Sequence, residues 1–308
     1  MKWTTTIQRG IYEGLKTLWI LGKIIFPVTL IVTMLQYTPL MSGLIFIFEP
    51  VMGWVGLPGD AAIVLALGKL LGIYAAIGAM LPMELTVKEV FIIAVMVSFS
   101  HNLIVETAVA KRIGVSAWSM LTVRIGLAFL TGILLARFWH GGSETAVYTM
   151  SAGAAAEQGD WLGIAIYSLK TALLGMLQIA IVVIPLMFCI QVMRDLNILR
   201  WLSRLMKPFT RLLGVSDRSA LTLMAGLVFG IAYGAGVMIQ AVKEDGLSTR
   251  DIYLVSIFLV ICHAVIEDTL LFLPLGIPLL PLLLLRVILA LIITLVISQI
   301  WRMQRRAS

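Results

Sequence analysis

Charged residues are scarce in this sequence: Lys, Arg, Asp and Glu make up 13% of its 308 residues, whereas 60% are apolar. Soluble domains usually contain about 25% charged and about 45–50% apolar residues. This shortage of charge, with a mean hydropathy of +1.03, excludes an ordinary soluble domain. Cysteine is also rare, and both copies, Cys189 and Cys262, lie in apolar runs, so we expect no disulfide.

Several familiar motifs are missing as well. The sequence contains no HExxH, GxSxG or P-loop spacing, so it has no motif of the corresponding metalloproteases, hydrolases or nucleotide-binding enzymes. No nucleic-acid-binding motif accompanies the net charge of +7. We therefore expect neither an enzyme nor a nucleic-acid partner, and we use the charges to predict topology instead.

Long apolar runs follow one another along the chain, several of them near the roughly 20 residues that cross a bilayer core of about 30 Å. These runs are 18–38, 61–82, 90–105, 116–136, 161–193, 220–241, 252–275 and 279–300. The basic N-terminus leads into the first run without a small-residue cleavage site, which indicates a retained span. We interpret the chain as an all-α polytopic membrane protein whose partner is the lipid bilayer.

Polar residues within these runs reveal an internal repeat. Four of them recur at a single offset of 162 (263 − 101 for the histidines), and the pairs are His101 and His263, Glu106 and Asp268, Thr107 and Thr269, and Arg124 and Arg286. At an offset of 158, two glycines one helical turn apart, Gly68 and Gly72, recur as Gly226 and Gly230. Such spacing allows close helix packing in lipid. We predict two repeats, 1–140 and 161–308, joined by a polar external linker at 141–160.

The distribution of Lys and Arg favours an inverted orientation of the two repeats. Basic residues near both ends place the two termini in the cytoplasm, but a simple crossing at 90–112 would leave Lys111 and Arg112 outside. Re-entrant helical hairpins near 88–112 and 250–276 remove this conflict. Each repeat then has one hairpin, three spanning helices and an interfacial segment (39–58 or 194–218), in a bacterial cytoplasmic (inner) membrane.

The hairpin regions and the spans after them carry the candidate solute-binding residues: His101, Asn102, Glu106, Thr107, Arg124, His263, Asp268, Thr269 and Arg286. Ionisable residues within a membrane are costly and are usually functional. The histidines would bind solute or relay protons. The acids would be coupling carboxylates or would orient the ligand, and the arginines would act as counter-charges or anion ligands. The structural alternatives are histidines bonded to backbone carbonyls, arginines that neutralise the acids, and threonines bonded to their own helix.

Metal binding is a rival interpretation of the same residues. Four of them are candidate ligands of a divalent ion: His101, Glu106, His263 and Asp268. A histidine and an acid at positions i and i+5 of a continuous helix differ by about 140° in direction. They could therefore share an ion only if the helix breaks between them. A coupling ion, H⁺ or Na⁺, is left open by the sequence.

The segments "SHNLIVETAVAKRIG" and "CHAVIEDTLLFLPLG" resemble the nucleoside-recognition (Gate) family of membrane proteins. That family includes the gates of the bacterial ferrous iron transporter and spore maturation proteins A and B. It is distantly similar to the concentrative nucleoside transporters, so the resemblance implies inverted repeats with two re-entrant hairpins. The Gln-Thr-Glu and Asn-Glu signatures that bind nucleoside in those transporters are absent here, and Cys262 alone could represent an iron-permease thiol.

Together these features predict a secondary-transporter-like protein that moves a small polar or anionic solute, nucleoside-like solutes included, by alternating access. Its site would lie at the membrane midplane between the two hairpin tips. The alternatives are a non-transporting scaffold or regulatory subunit with the same fold, a divalent-metal transporter, and an intramembrane metal-dependent enzyme. The solute and the oligomeric state, including a homo-oligomer, are left open.

Overall fold

The structure, a computed structural model, describes residues 3–150, 156–157, 159–196, 198–231 and 247–307. These residues are mostly helical; they include no strand, only an isolated bridge between Thr86 and Thr145. The α-helices are α1 (Trp3–Leu35), α2 (Pro39–Trp54), α3 (Ala61–Leu71), α4 (Ile73–Met80), α5 (Val87–Ser100), α6 (Leu103–Arg112), α7 (Ala117–Phe138), α8 (Trp161–Asp195), α9 (Ile198–Leu205), α10 (Lys207–Leu213), α11 (220–231), α12 (Thr249–Ile261), α13 (Val265–Leu270) and α14 (Leu279–Ala307). Two short 3₁₀ helices lie at Asp217–Ser219 and Leu273–Leu275. Part of the predicted linker (151–155 and 158) and the second half of the predicted run 220–241 lie outside the described residues.

Among the described residues, six helical segments are long and apolar enough to cross a membrane: Thr5–Leu35, Val87–Arg112, Ala117–Phe138, Trp161–Asp195, Thr249–Leu270 and Leu279–Gln304. Large apolar side chains are exposed along these segments, as contact with lipid requires. On α14 a stripe of large side chains, one at every fourth position, is exposed: Leu280, Leu284, Ile288, Ile292, Val296 and Ile300. This spacing follows one face of a helix. The predicted class of all-α polytopic membrane protein is confirmed.

One predicted run is not a continuous helix. The run 61–82 breaks at Gly72 into α3 and α4, because Gly72 has φ 108° and ψ 177°, a conformation open almost only to glycine. The Gly72 N–H still closes α3 by donating to the Gly68 carbonyl oxygen at 3.0 Å. The apolar pattern continues across this residue, so hydropathy alone could not have shown the break.

The predicted amphipathic segment 194–218 is also divided. It contains the end of α8, then α9, α10 and a 3₁₀ turn rather than one helix. The second of its short helices, α10, ends at Gly214, which adopts a left-handed conformation with φ 74° and so stops the helix. Basic side chains in the segment are exposed, including Arg204, Lys207 and Arg211.

The chain divides into two compact units, each built from several stretches of sequence. The first comprises Met1–Asn102, Ala128–Val192 and Leu270–Leu279, and the second comprises Leu103–Leu127, Met193–Thr269 and Leu280–Ser308. In the first unit α5 is the buried central helix, with residues 90–100 all buried. In the second unit α12 is also deeply buried, with residues 254–261 all buried.

The two central helices begin in the same way. The Thr86 hydroxyl accepts from the Glu89 backbone N–H at the start of α5, and the Ser248 hydroxyl accepts from the Asp251 N–H at the start of α12. Both are N-caps, which satisfy backbone donors that a helix leaves unpaired. Thr86 and Ser248 are related by the same offset as the two histidines, so residues at corresponding positions of the sequence form the same local structure here.

Candidate functional site

Each central helix ends in a sharp break next to one of the two paired histidines. In the first unit α5 ends at Ser100, and Asn102 has φ 48° and donates its N–H to the Gly68 carbonyl oxygen at 3.0 Å. In the second unit Ala264 has φ 40° and donates its N–H to the Gly226 carbonyl oxygen, also at 3.0 Å. These are the positive-φ residues other than glycine among the described residues. The same hydrogen bond therefore holds both breaks.

Both histidines use one ring nitrogen to satisfy the broken helix. Nδ1 of His101 lies 2.9 Å from the Val97 carbonyl oxygen, and Nδ1 of His263 lies 2.8 Å from the Leu259 carbonyl oxygen. A carbonyl oxygen can only accept, so Nδ1 must carry the proton in both rings. The structural interpretation made from the sequence, a histidine bonded to a backbone carbonyl, is thus present. This hydrogen bond uses Nδ1 of each ring, and Nε2 can contact another partner.

The first buried ion pair lies inside the second unit. Oε2 of Glu106 is 2.7 Å from Nη1 of Arg124, and these side chains are 2% and 1% exposed. The other carboxylate oxygen, Oε1, is 3.3 Å from Nε2 of His263. An acid from the first repeat therefore contacts the histidine of the second repeat. The guanidinium group of Arg124 compensates for removing this carboxylate from water.

The second buried ion pair, Asp268 and Arg286, lies in the same unit. Nη2 of Arg286 is 2.9 Å from Oδ2 of Asp268 and donates to the His263 carbonyl oxygen at 2.8 Å. The Arg286 side chain is not exposed at all. Its Nε and Nη1 have no hydrogen-bond partner among the described residues. Buried N–H groups without a partner are costly, so this guanidinium group can bind a further acceptor.

Each arginine thus neutralises the acid of its own repeat, as the sequence interpretation allowed. The two threonines differ: the Thr269 hydroxyl donates to the Val265 carbonyl oxygen of its own helix at 2.6 Å. The buried Thr107 hydroxyl has no hydrogen-bond partner in the described part of the chain. Back-bonding within the helix therefore accounts for one threonine of the pair.

The predicted site residues are divided between the units. His101 and Asn102 belong to the first unit, and the other seven predicted residues belong to the second. In the second unit, both candidate metal-binding acids, Glu106 and Asp268, face a guanidinium group, at 2.7 Å and 2.9 Å. A divalent ion bound by either acid would be repelled by that positive charge.

Glu267 and Gln178 are among the buried polar residues that the sequence analysis missed. Glu267 is 8% exposed and directly precedes Asp268; at the repeat offset it falls on Val105, so a search for paired residues passed over it. Gln178 is 2% exposed near the middle of α8, and its counterpart at the upstream offset is Ile20. An amide in an otherwise apolar run was the signal that could have found it.

The fold and the buried charges define a polytopic membrane protein. A family model described as Gate, nucleoside recognition, matches residues 18–117 and 176–278. These ranges cover more than half of the chain, which therefore belongs to the Gate family. The chain is also 53% identical, over 95% of its length and 94% of the relative's, to "Uncharacterized membrane protein YvoD" of Bacillus subtilis (strain 168). No solved structure matches it.

Proposed function

We propose that this chain is a secondary-transporter-like protein that moves a small polar or anionic solute, nucleoside-like solutes included, by alternating access. It belongs in the bacterial cytoplasmic membrane with both termini in the cytoplasm. Residues 1–140 and 161–308 form inverted repeats, and each contributes a re-entrant hairpin. Glu106 and Asp268 act as coupling carboxylates or orient the solute. His101 and His263 bind the solute or relay protons.

Several observations support the repeat on which this proposal depends. The two ranges matched by the family model begin at positions 18 and 176, which reproduces the upstream offset found in the sequence. The N-caps, the helix breaks and the buried ion pairs also recur. The opposite orientation of the repeats is supported by the charges: no Lys or Arg lies between 251 and 285, whereas Lys111 and Arg112 end the first hairpin.

The observation that carries the solute proposal is the buried guanidinium group of Arg286. Nη2 is committed to Asp268 and to the His263 carbonyl oxygen, while Nε and Nη1 lack partners among the described residues. Planar guanidinium groups bind carboxylate and phosphate oxygens strongly. In a low-dielectric interior, an anionic solute would satisfy these unpaired donors.

The test is ligand binding by purified protein in lipid nanodiscs, read as a rise in the thermal unfolding midpoint. A panel of carboxylates, phosphate, nucleosides, nucleotides and divalent cations should contain an anion that stabilises the wild type. The Arg286→Lys variant keeps a positive charge beside Asp268 but loses the guanidinium nitrogens. We expect it to weaken binding of that anion by about 10–150-fold, the value of one or two charge-assisted hydrogen bonds.

The matched control is Arg250→Lys in the same unit. Its guanidinium group donates to the Gly214 carbonyl oxygen at 2.6 Å and to the Ser298 hydroxyl at 2.7 Å, so it has a structural role. This variant should lose stability but keep the wild-type affinity for the anion. A wild type that responds to no compound of the panel would favour the non-transporting scaffold, and equal affinities in the wild type and Arg286→Lys would contradict the assignment of Arg286.

A further inference from the structure

A small cavity in the first unit lies among neutral polar side chains that the proposed solute site does not include. It is lined by Tyr148, Tyr167, Thr171 and Gln178, together with apolar residues. Its volume is about 30 Å³, whereas a single water needs roughly 10–15 Å³ measured in this way. The cavity can therefore hold one or two particles the size of a water molecule.

The orientation of Gln178 follows from its neighbour. One end of its amide lies 2.8 Å from the carbonyl oxygen of Pro274. That oxygen can only accept, so the amide nitrogen must face it and the amide oxygen must face the other way. This oxygen, Oε1, is buried and has no hydrogen-bond partner among the described residues. Gln178 therefore presents to the cavity an acceptor oxygen that receives no hydrogen bond from the described residues.

Two further oxygens that line the cavity have already committed their protons. The Thr171 hydroxyl donates to the Tyr167 carbonyl oxygen at 2.9 Å, and the Tyr148 hydroxyl donates to the Met83 carbonyl oxygen at 3.1 Å. A hydroxyl has one proton and two lone pairs, so each of these oxygens is left as an acceptor. Each of these three side chains thus presents an acceptor oxygen to the cavity.

We propose that this cavity binds a small monovalent cation, Na⁺ or ammonium. Three neutral oxygens suit a hard cation, which takes oxygen ligands. The lining residues include no carboxylate, and divalent ions are usually bound through carboxylates. The counterpart of Gln178 at the upstream offset is Ile20, which offers no acceptor. If this cation is the coupling ion, that role rests on the proposed transport function. Binding of the cation does not depend on transport.

The test measures binding without any solute, so its failure is distinct from failure of the transport proposal. Thermal unfolding midpoints of the wild type in nanodiscs are compared in NaCl, NH₄Cl and choline chloride at equal ionic strength. At about ten times the dissociation constant, the bound ion should raise the midpoint by roughly 2–5 °C over choline chloride. The salt that gives the rise identifies the cation.

Two variants remove acceptors from the cavity. Thr171→Val should fold normally, because the hydroxyl bonds only within its own helix, and Gln178→Met replaces the amide by an apolar side chain of similar length. We expect both to lose most of the salt-specific rise. Ser168→Ala, a buried position one turn away on α8 that does not line the cavity, should keep it. Equal midpoints in all three salts would mean that water alone fills the cavity, and an undiminished rise in both variants would also overturn the proposal.

Discussion

Replacing Glu106 by leucine should lower the free energy of unfolding by about 3–5 kcal/mol, because it strands a buried guanidinium group. Arg124 is 1% exposed, and its Nη1 lies 2.7 Å from the lost carboxylate. The charge would remain in the interior with its compensating acid removed. Equilibrium unfolding of the protein in mixed micelles or nanodiscs measures the loss.

The double variant Glu106→Leu/Arg124→Met should recover most of this loss. A buried ion pair can often be replaced by apolar side chains of similar volume at little or no cost, so the two changes should be strongly non-additive. The exposed pair of Arg211 and Asp217, whose side chains are 73% and 37% exposed, is the matched control. Asp217→Ala should have no measurable effect on stability. Additive losses at Glu106 and Arg124 would contradict the buried pair.

The Asp268→Asn variant should have two opposite effects. We expect stability without ligand to fall by about 3 kcal/mol, because Arg286 keeps its charge and loses its anionic partner. Binding of the anion identified in the panel should instead become at least about tenfold tighter. Asp268 lies 2.9 Å from the same guanidinium group, so its negative charge both repels an incoming anion and competes for the cation.

Asp251→Asn is the control for this prediction. Asp251 is 8% exposed in the first turn of α12, where a negative charge stabilises the helix. Its replacement should reduce stability and leave anion affinity unchanged. Weaker or unchanged anion binding by Asp268→Asn would contradict the competition between Asp268 and the anion for Arg286. Titration calorimetry on the three proteins gives the affinities directly.

The parts of the fold that depend on hydropathy could be predicted from the sequence. A run of about 20 apolar residues has few alternatives to a membrane-spanning helix, and the polar residues at a fixed offset revealed the repeat. The break at Gly72 could not be predicted, because it depends on a positive φ angle within an unbroken apolar run. Glycine allows that conformation but does not require it.

The parts of the candidate site that recur at the same offset in the sequence could be predicted. The equal spacing of acid and arginine in the two repeats suggested that each arginine neutralises the acid that precedes it, and both pairs are present. The contact between His263 and Glu106 joins the two repeats, so comparing residues at the same offset could not reveal it. Gln178 has no polar counterpart in the other repeat, which is why its cavity was not anticipated.

The opposite orientation of the two hairpins can be tested by cysteine accessibility in intact cells. Single cysteines are introduced as Arg112→Cys and Pro278→Cys in a protein that carries Cys189→Ser and Cys262→Ala. Both positions are exposed. Position 278 is preferred to Gly276, which has φ 71° and where an added Cβ would lie 2.8 Å from the Val147 carbonyl oxygen.

A membrane-impermeant maleimide should label the Pro278→Cys variant in intact cells. It should label the Arg112→Cys variant only after the membrane is permeabilised, because in the proposed topology the first hairpin begins and ends in the cytoplasm and the second begins and ends outside. The reverse pattern, or labelling of both variants in intact cells, would contradict the inverted repeats on which the proposed transport mechanism depends.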